Sequence, residues 1–243
     1  MRLRIRNYLP FMLLSLCISC EDNTHEVSAK YVMLPSFQTV ELNSVFDVFL
    51  IQDSIYAIEV VGHQEIITNV VYNVEDDTLR VSNRSGGKWL MPKKNKVKLY
   101  IHSDRLSQIV PNETCYIKTI NPIISDAFTI VMGHRPKLAE IDLELNCGTF
   151  LYWNNHQCGG KLTLAGKTGH LSISSFALMS VDASELIAND ATVNNSSKGD
   201  CTVRVKDEIQ YSIHGVGNIY VYGNPGSVIP EAITSTGQLI LLD

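Results

Sequence analysis

The 243-residue chain carries 20 Lys and Arg against 25 Asp and Glu, a formal net charge of −5. That balance excludes the basic face or stripe that nucleic-acid binding needs. With 45% hydrophobic and 19% charged residues, the composition also excludes a disordered chain and suits one elongated domain or two small ones.

Arg2, Arg4 and Arg6 precede an apolar run from Tyr8 to Ile18, which stops at Ser19-Cys20. A charged start, a short apolar stretch and a small residue before a cut site predict a secretory signal over residues 1–19. The run is too short to span a bilayer comfortably, which takes roughly 20 apolar residues. A cysteine just after the cut site resembles a bacterial lipobox, with Cys17 standing where that motif usually has Leu. The resemblance implies that Cys20 becomes the lipidated, palmitate-bearing first residue and holds the protein to a membrane. Residues 20–30 are polar and acidic without periodicity and read as a tether. Glu21-Asp22 resembles the surface-export signal of lipoproteins in one group of Gram-negative bacteria, whereas in others such acids favour retention at the inner membrane.

Residues 31–105 predict a mostly antiparallel strand unit. Val45 to Leu50, Tyr56 to Val60, Thr78 to Val81 and Val97 to Ile101 are short β-branched or aromatic segments bounded by turn residues. Asp76-Asp77 predicts a turn. His63 to Val70 predicts the one short helix, with Ile66, Ile67 and Val70 on one side. Lys88, Lys93, Lys94, Lys96 and Lys98 surround Pro92 and read as a solvated loop, in which Trp89 is a candidate ligand contact.

Residues 106–243 hold an internal repeat of ten. Ile141, Leu151, Leu171, Val181, Ala191, Cys201, Tyr211 and Val221 are spaced by it, and so are Leu143, Trp153, Ile173, Ala183, Val193, Val203, Ile213 and Gly223. Between them fall Asp142, Ser172, Asp182, Thr192, Thr202 and Ser212. One step is out of phase, where Leu162 and Leu164 supply the apolar pair one residue late. A period-2 strand nested in a period of ten suits a β-solenoid with two-faced coils of about twenty residues, inward side chains stacking coil on coil. An antiparallel sandwich is the alternative architecture. The ladder places Trp153 inside, and Tyr152, Tyr220 and Tyr222 outside as candidate ligand contacts.

Four cysteines remain in this body: Cys115, Cys147, Cys158 and Cys201. They are either small apolar core residues or disulfide partners, with Cys147 and Cys158 the first pair to consider. His156 near Cys158 matches no zinc spacing, so no metal or other cofactor is expected.

Ser212-Ile213-His214-Gly215-Val216-Gly217-Asn218-Ile219-Tyr220-Val221-Tyr222-Gly223-Asn224-Pro225 resembles the signature end of the head GIN domain family, the auto-transporter adhesin head domains of bacterial envelope proteins. Phe46-Asp47-Val48-Phe49-Leu50, Ile58-Glu59-Val60 and Thr78-Leu79-Arg80-Val81 are similar to its opening strands, so the resemblance covers residues 31–243. Pro111-Asn112-Glu113-Thr114-Cys115 departs from the Ser-Gly-Ser-Gly turns of many members, and His214 replaces a small residue. The resemblance implies an all-β solenoid without an established catalytic site, and structural turns at Gly215, Gly217 and Gly223. The G-x-G is no nucleotide motif, since it lacks the third glycine and the following helix.

Some solenoids cleave acidic polysaccharides with acids clustered on one coil face. Asp142, Asp182 and Asp190, with Arg204 and Lys206, are the residues available for that, but alternating outward charges are first of all a solubility device. The expectation is a lipid-anchored, non-enzymatic adhesion or recognition module at the outer membrane of a Gram-negative bacterium, binding a glycan or a protein. A periplasmic scaffold or assembly partner is the alternative, and a polysaccharide-acting enzyme the remote one.

Overall fold

Parallel pairing between residues about twenty apart organises the chain: Glu140 pairs with Lys161, Val181 with Cys201 and Ile219 with Leu239. A computed structural model describes residues 27–85 and 96–242. Its strands are β1 (Val27–Met33), β2 (Thr39–Leu42), β3 (Phe46–Gln52) and β4 (Ala57–His63), then, after the single helix α1 (Gln64–Ile67), β5 (Val70–Glu75), β6 (Thr78–Asn83) and β7 (Lys98–Ser103). There follow β8 (Gln108–Pro111), β9 (Cys115–Thr119), β10 (Ile123–Val131), β11 (Leu138–Trp153), β12 (Gly159–Ser197), β13 (Cys201–Ile213), β14 (Ile219–Tyr222), β15 (Ser227–Ile233) and β16 (Leu239–Leu241).

The parallel ladders decide for the solenoid over the sandwich. Each coil lays one strand on a first sheet and one on a second. The first sheet stacks β3, β9, the start of β11, β12, the start of β13, β14 and β16. The second stacks β2, β8, most of β10, the ends of β11 and β13, and β15, with β12 between. The 39 residues of β12 run through both sheets more than once, and Leu178 N–H donates to Cys158 O at 3.1 Å. Val48, Ile117, Ile141, Leu162, Val181, Cys201 and Ile219 are buried from the first sheet. Val40, Ile109, Phe128, Phe150, Leu171, Ala191 and Ile209 face them from the second. The Phe128 and Phe150 rings stack from successive coils at 6.2 Å.

The opening unit is mixed. β1, β4 and β7 pair antiparallel and join the first sheet through the parallel pair of β7 with β3. The antiparallel hairpin of β5 with β6 joins the second through the parallel pair of β6 with β2. Its turn is the expected Asp76-Asp77, both at positive φ (49° and 55°), the conformation that suits a two-residue hairpin. Helix α1 is one turn, shorter than the predicted His63 to Val70. The chain leaves it at Thr68 because Val70 is already needed to open β5. Ile67 and Val70 are buried as expected, and Ile66 packs partly against the core.

One part of the apolar ladder is corrected. Leu151 and Trp153 do not face inward; Phe150 and Tyr152 do, both at 0% exposure. Within β11 the odd residues from Ala139 to Cys147 are buried, then Gly148 and Thr149 pass without one, and burial resumes at Phe150. Gly148 turns the corner between the sheets, where the alternation breaks by one residue; a Cβ on it would lie 2.6 Å from Asp126 O. The coil is 21 residues long here, as the pairing of Tyr152 with Ile173 shows. Gly223 also leaves the ladder: it is exposed, at φ 101°.

Corners elsewhere are closed by buried polar side chains whose hydrogen bonds are made, as burial demands. Asn195 Nδ2 donates to Gly199 O (3.2 Å) and Gly217 O (3.1 Å), and its Oδ1 accepts from Ser197 N–H at 3.1 Å. Asn154 does the same work two coils earlier, with Nδ2 to Phe176 O at 3.3 Å. Gly215 and Gly217 lie in the last such corner, where each would place a Cβ 2.0 Å from a neighbouring carbonyl oxygen.

Candidate functional site

A solenoid leaves the outer sides of its two sheets free, and the first sheet carries the more distinctive one. Phe49 on β3 pairs with Tyr100 on β7, and their rings stack at 4.8 Å and 17°. Tyr116 on β9 meets Phe49 edge-on at 6.1 Å. Tyr31 on the outermost strand, 51% exposed, packs edge-on against His102 at 6.0 Å. His102 Nδ1 lies 2.8 Å from Asp53 Oδ2. Tyr100, Phe49 and Tyr116 thus form an aromatic row across three neighbouring strands, and Tyr31 extends it from β1, beyond Glu59 of the intervening β4. Offset and edge-on pairs of this kind hold rings in fixed positions.

Beyond the row the same face becomes charged. Lys118 Nζ donates to Asp142 Oδ2 and Lys161 Nζ to Asp182 Oδ2, both at 2.9 Å. The hydrogen bond to Asp142 raises the Lys118 pKa. A hydrogen bond from Ser184, and then the contact with Lys161, lower that of Asp182. These acids are engaged in ion pairs, and Asp190 lies on the second sheet opposite Glu208. The three carboxylates named from sequence are not brought to one coil face. Among the described residues, no group of three or more His, Cys, Asp or Glu could hold a metal ion.

At the far end, Tyr220 and Tyr222 are half-buried on β14. Asn218 Nδ2 donates to Tyr220 Oη at 3.2 Å. The Arg204 guanidinium sits 5.2 Å from the Tyr222 ring centre, a cation–π distance. Tyr152 is removed from the contact candidates by its burial, and Trp153, 46% exposed, stands outside on the second sheet. Trp89 and Cys20 lie outside the described residues, as do Lys88, Lys93 and Lys94. Sequence reasoning missed Tyr31, Phe49, Tyr100 and Tyr116. Each occupies an outward position of a strand, but only the parallel register brings such distant segments together.

The four cysteines are buried free thiols, so they fill the core, and Cys147 and Cys158 are not bonded to each other. Cys147 Sγ donates to Thr168 Oγ1 at 3.6 Å. Burial first, and the neighbouring Cys158 second, push the Cys115 thiol up to about 12. Burial, then Asp200, push Cys201 up to about 12, and burial pushes Cys158 up to about 11. The sign follows from linkage. Above the ordinary thiol value of 9.0 the unfolded chain releases protons that the folded chain keeps, so folding stability falls as pH rises. Between pH 9 and 12 each fully buried thiol should remove up to about 1.4 kcal/mol per pH unit. Urea denaturation at pH 8, 9.5 and 11 checks this. The fall should be shallower in Cys201→Ala than in the parent, and equal slopes would rule out the thiol as its source.

The family model described as "Putative auto-transporter adhesin, head GIN domain" matches residues 36–225. No curated protein matches the chain. Among solved structures, a protein described as a putative adhesin from Bacteroides fragilis NCTC 9343 aligns with a TM-score of 0.76 at 20% identity, covering 89% of this chain and 97% of that one. A second, described as a putative adhesin from Parabacteroides distasonis ATCC 8503, gives 0.64 at 16% identity over 90% and 98%. A third from the same strain, described as a putative lipid binding protein, gives 0.59 at 16% over 89% and 97%. At these identities the likeness is one of fold.

Proposed function

This chain belongs to the auto-transporter adhesin head GIN domain family, and on that premise we propose that it is a non-enzymatic recognition module of the bacterial cell envelope. The observation that carries the reading is the aromatic row of Tyr31, Tyr100, Phe49 and Tyr116 on the outer side of the first sheet. Aromatic side chains are enriched where protein surfaces make contacts, and they supply area at low entropic cost. The ligand is a glycan. Its sugar rings offer C–H faces to the aromatics, and its hydroxyls meet the flanking Glu59 and Lys98, which the register places beside Tyr100 and Asp47. Tyr220, Tyr222 and Trp89 are secondary contacts. In this reading the body already includes β1 (Val27–Met33), whose first four residues pair with β4 although the sequence placed them in a tether over 20–30, and Cys20 carries the lipid that holds the protein at the outer membrane, facing outward.

A periplasmic scaffold working by edge association is the second reading. It draws on β1, the last strand of its sheet, which exposes Val27, Tyr31 and Met33. Protease shaving of intact cells with a lysed control separates the two. Cleavage on intact cells is expected, and cleavage only after lysis would move the search to periplasmic partners. On a glycan array, the Tyr100→Ala, Tyr116→Ala double variant should lose about tenfold or more in affinity, each aromatic contact being worth ~0.5–1.5 kcal/mol. Unchanged binding would displace the row as the contact surface.

A further inference from the structure

At the corner between the two sheets lies a recess of about 380 Å³ lined by Asn146, Cys147, Lys167, Thr168, Gly169, Ile187, Asn189 and Lys206. Two features of the backbone form it. Gly169 follows Gly148 on the next coil, and neither carries a side chain; a Cβ on Gly169 would lie 2.6 Å from Gly148 O. One coil further on the register slips: Ala188 pairs with Val205 but Asp190 with Glu208, so Lys206 and Asp207 stand opposite the single Asn189. The slip opens the corner and brings Lys206 to a recess that Lys167 already borders.

The lining carries positive charge without a counter-charge, unlike the neighbouring face. Lys118 and Lys161 on the neighbouring face each hold a carboxylate at 2.9 Å. Lys167 and Lys206 have no ion-pair or hydrogen-bond partner among the described residues, and no carboxylate lines the recess. Asp190 and Asp207 flank it in sequence without pairing to either lysine. Two lysines bordering one opening without a carboxylate favour an anion there. Asn146 and Asn189 add two amides with no hydrogen bond of their own among the described residues, each able to donate and to accept. Ile187 supplies an apolar wall. The Thr168 hydroxyl is occupied, since it donates to His170 O at 3.0 Å and accepts from Cys147.

We propose that this corner recess binds the carboxylate-bearing ring of an acidic sugar, with Lys167 and Lys206 on the carboxylate, Asn146 and Asn189 on ring hydroxyls and Ile187 against a C–H face. The volume falls in the range of small-molecule sites and suits one uronic-type residue. A second cavity of about 580 Å³ adjoins it, lined among others by Arg105, Ser107, Ile124 and Asp126. Ile124 pairs directly with Asn146, but Asp104 and Asp126 line this second cavity, so the corner recess is the place for the acidic ring. The inference rests on the recognition reading only in taking a glycan as the ligand class, and it uses none of the aromatic row.

The test is calorimetric titration of the purified full-length protein with an oligogalacturonate, with the corresponding neutral galacto-oligosaccharide and with inorganic phosphate. The acidic oligosaccharide should bind, weaken as salt rises, and lose at least about tenfold in affinity on Lys167→Gln or Lys206→Gln. The neutral one should not bind. Both variants alter exposed side chains, and thermal melts matching the parent would confirm that they fold. Lys198→Gln, at an exposed lysine that does not line the recess, should leave oligogalacturonate binding unchanged. Absence of binding, binding unaffected by either lysine variant, or displacement by equimolar phosphate would each overturn the assignment. Any of these would leave the aromatic-row reading standing, because that depends on Tyr100 and Tyr116 and on the intact-cell experiment.

Discussion

Gly166→Ala should be among the most damaging single substitutions in the repeat region, costing about 3–5 kcal/mol of folding stability. Gly166 pairs with Leu145 across two coils and sits at φ +106°. That conformation is costly for any residue with a side chain. A Cβ would also lie 2.0 Å from Leu145 O and 3.0 Å from Leu145 C. Both atoms are backbone, so no side-chain rotation relieves the contact. The rungs must separate or the corner must be rebuilt, and either disturbs the packing of Leu145 and Leu164 in the core. For a domain of this size each kcal/mol moves Tm by roughly 2–4 °C, so a fall of about 6 to 20 °C is expected. Gly159→Ala is the control: its Cβ would meet Leu178 Cβ at an ordinary 3.5 Å, with no positive φ. Differential scanning calorimetry of both variants decides. A Gly166→Ala melt within about 2 °C of the parent would show that the corner can relax and that the clash does not govern stability.

What could be read from sequence and what could not divide along the geometry of the coil. The inward pairs from Leu171 and Ile173 to Cys201 and Val203 are legible because strand side chains alternate strictly and these coils keep nearly constant length. The corners are not legible in the same way. The late pair Leu162 and Leu164 announces a break in the alternation, but periodicity alone does not say where it falls. It falls at Gly148, ahead of Phe150, so Leu151 and Trp153 are thrown outward. The aromatic row and the lysine recess lie further from what a linear reading reaches. Phe49 meets Tyr100 and Tyr116 only because β3 inserts between β7 and β9, a non-local order that the local pattern does not encode. Lys206 reaches the recess through a register slip whose cause lies in two coils at once. The pairing proposed for Cys147 and Cys158 fails for the converse reason. Proximity in sequence looked like proximity in space, whereas Cys147 lies at a corner against Thr168 and Cys158 stands just before the next coil's first strand.

Tyr152 and Trp153 make the corrected register measurable, because neighbours in sequence should respond in opposite ways. Tyr152 is fully buried between the stacked coils, while the exposed Trp153 indole can be cut away at little cost. Tyr152→Ala should therefore destabilise the protein by about 3–5 kcal/mol, the usual range for emptying a large aromatic site. Trp153→Ala should stay within about 0.5 kcal/mol of the parent, as exposed positions do. The hydroxyl refines the test. Tyr152 Oη has no hydrogen-bond partner among the described residues, and burial together with the thiols of Cys158, Cys115 and Cys201 raises its pKa well above the ordinary phenol value. A buried hydroxyl without a partner costs about 1–3 kcal/mol in lost solvation. Removing it keeps the ring and sheds that cost, so Tyr152→Phe should be neutral or stabilising by about 1 kcal/mol. Urea denaturation of the three variants gives the ordering directly. If Trp153→Ala proved the damaging change and Tyr152→Ala the mild one, the inward phase would be that of the unbroken ten-residue ladder, and the one-residue step at Gly148 would be wrong. If Tyr152→Phe instead cost as much as 1.5 kcal/mol or more, a hydrogen bond would have to be restored to the phenol. The site between Cys115, Cys158 and Cys201 would then hold a polar group that the packing of these coils alone does not supply.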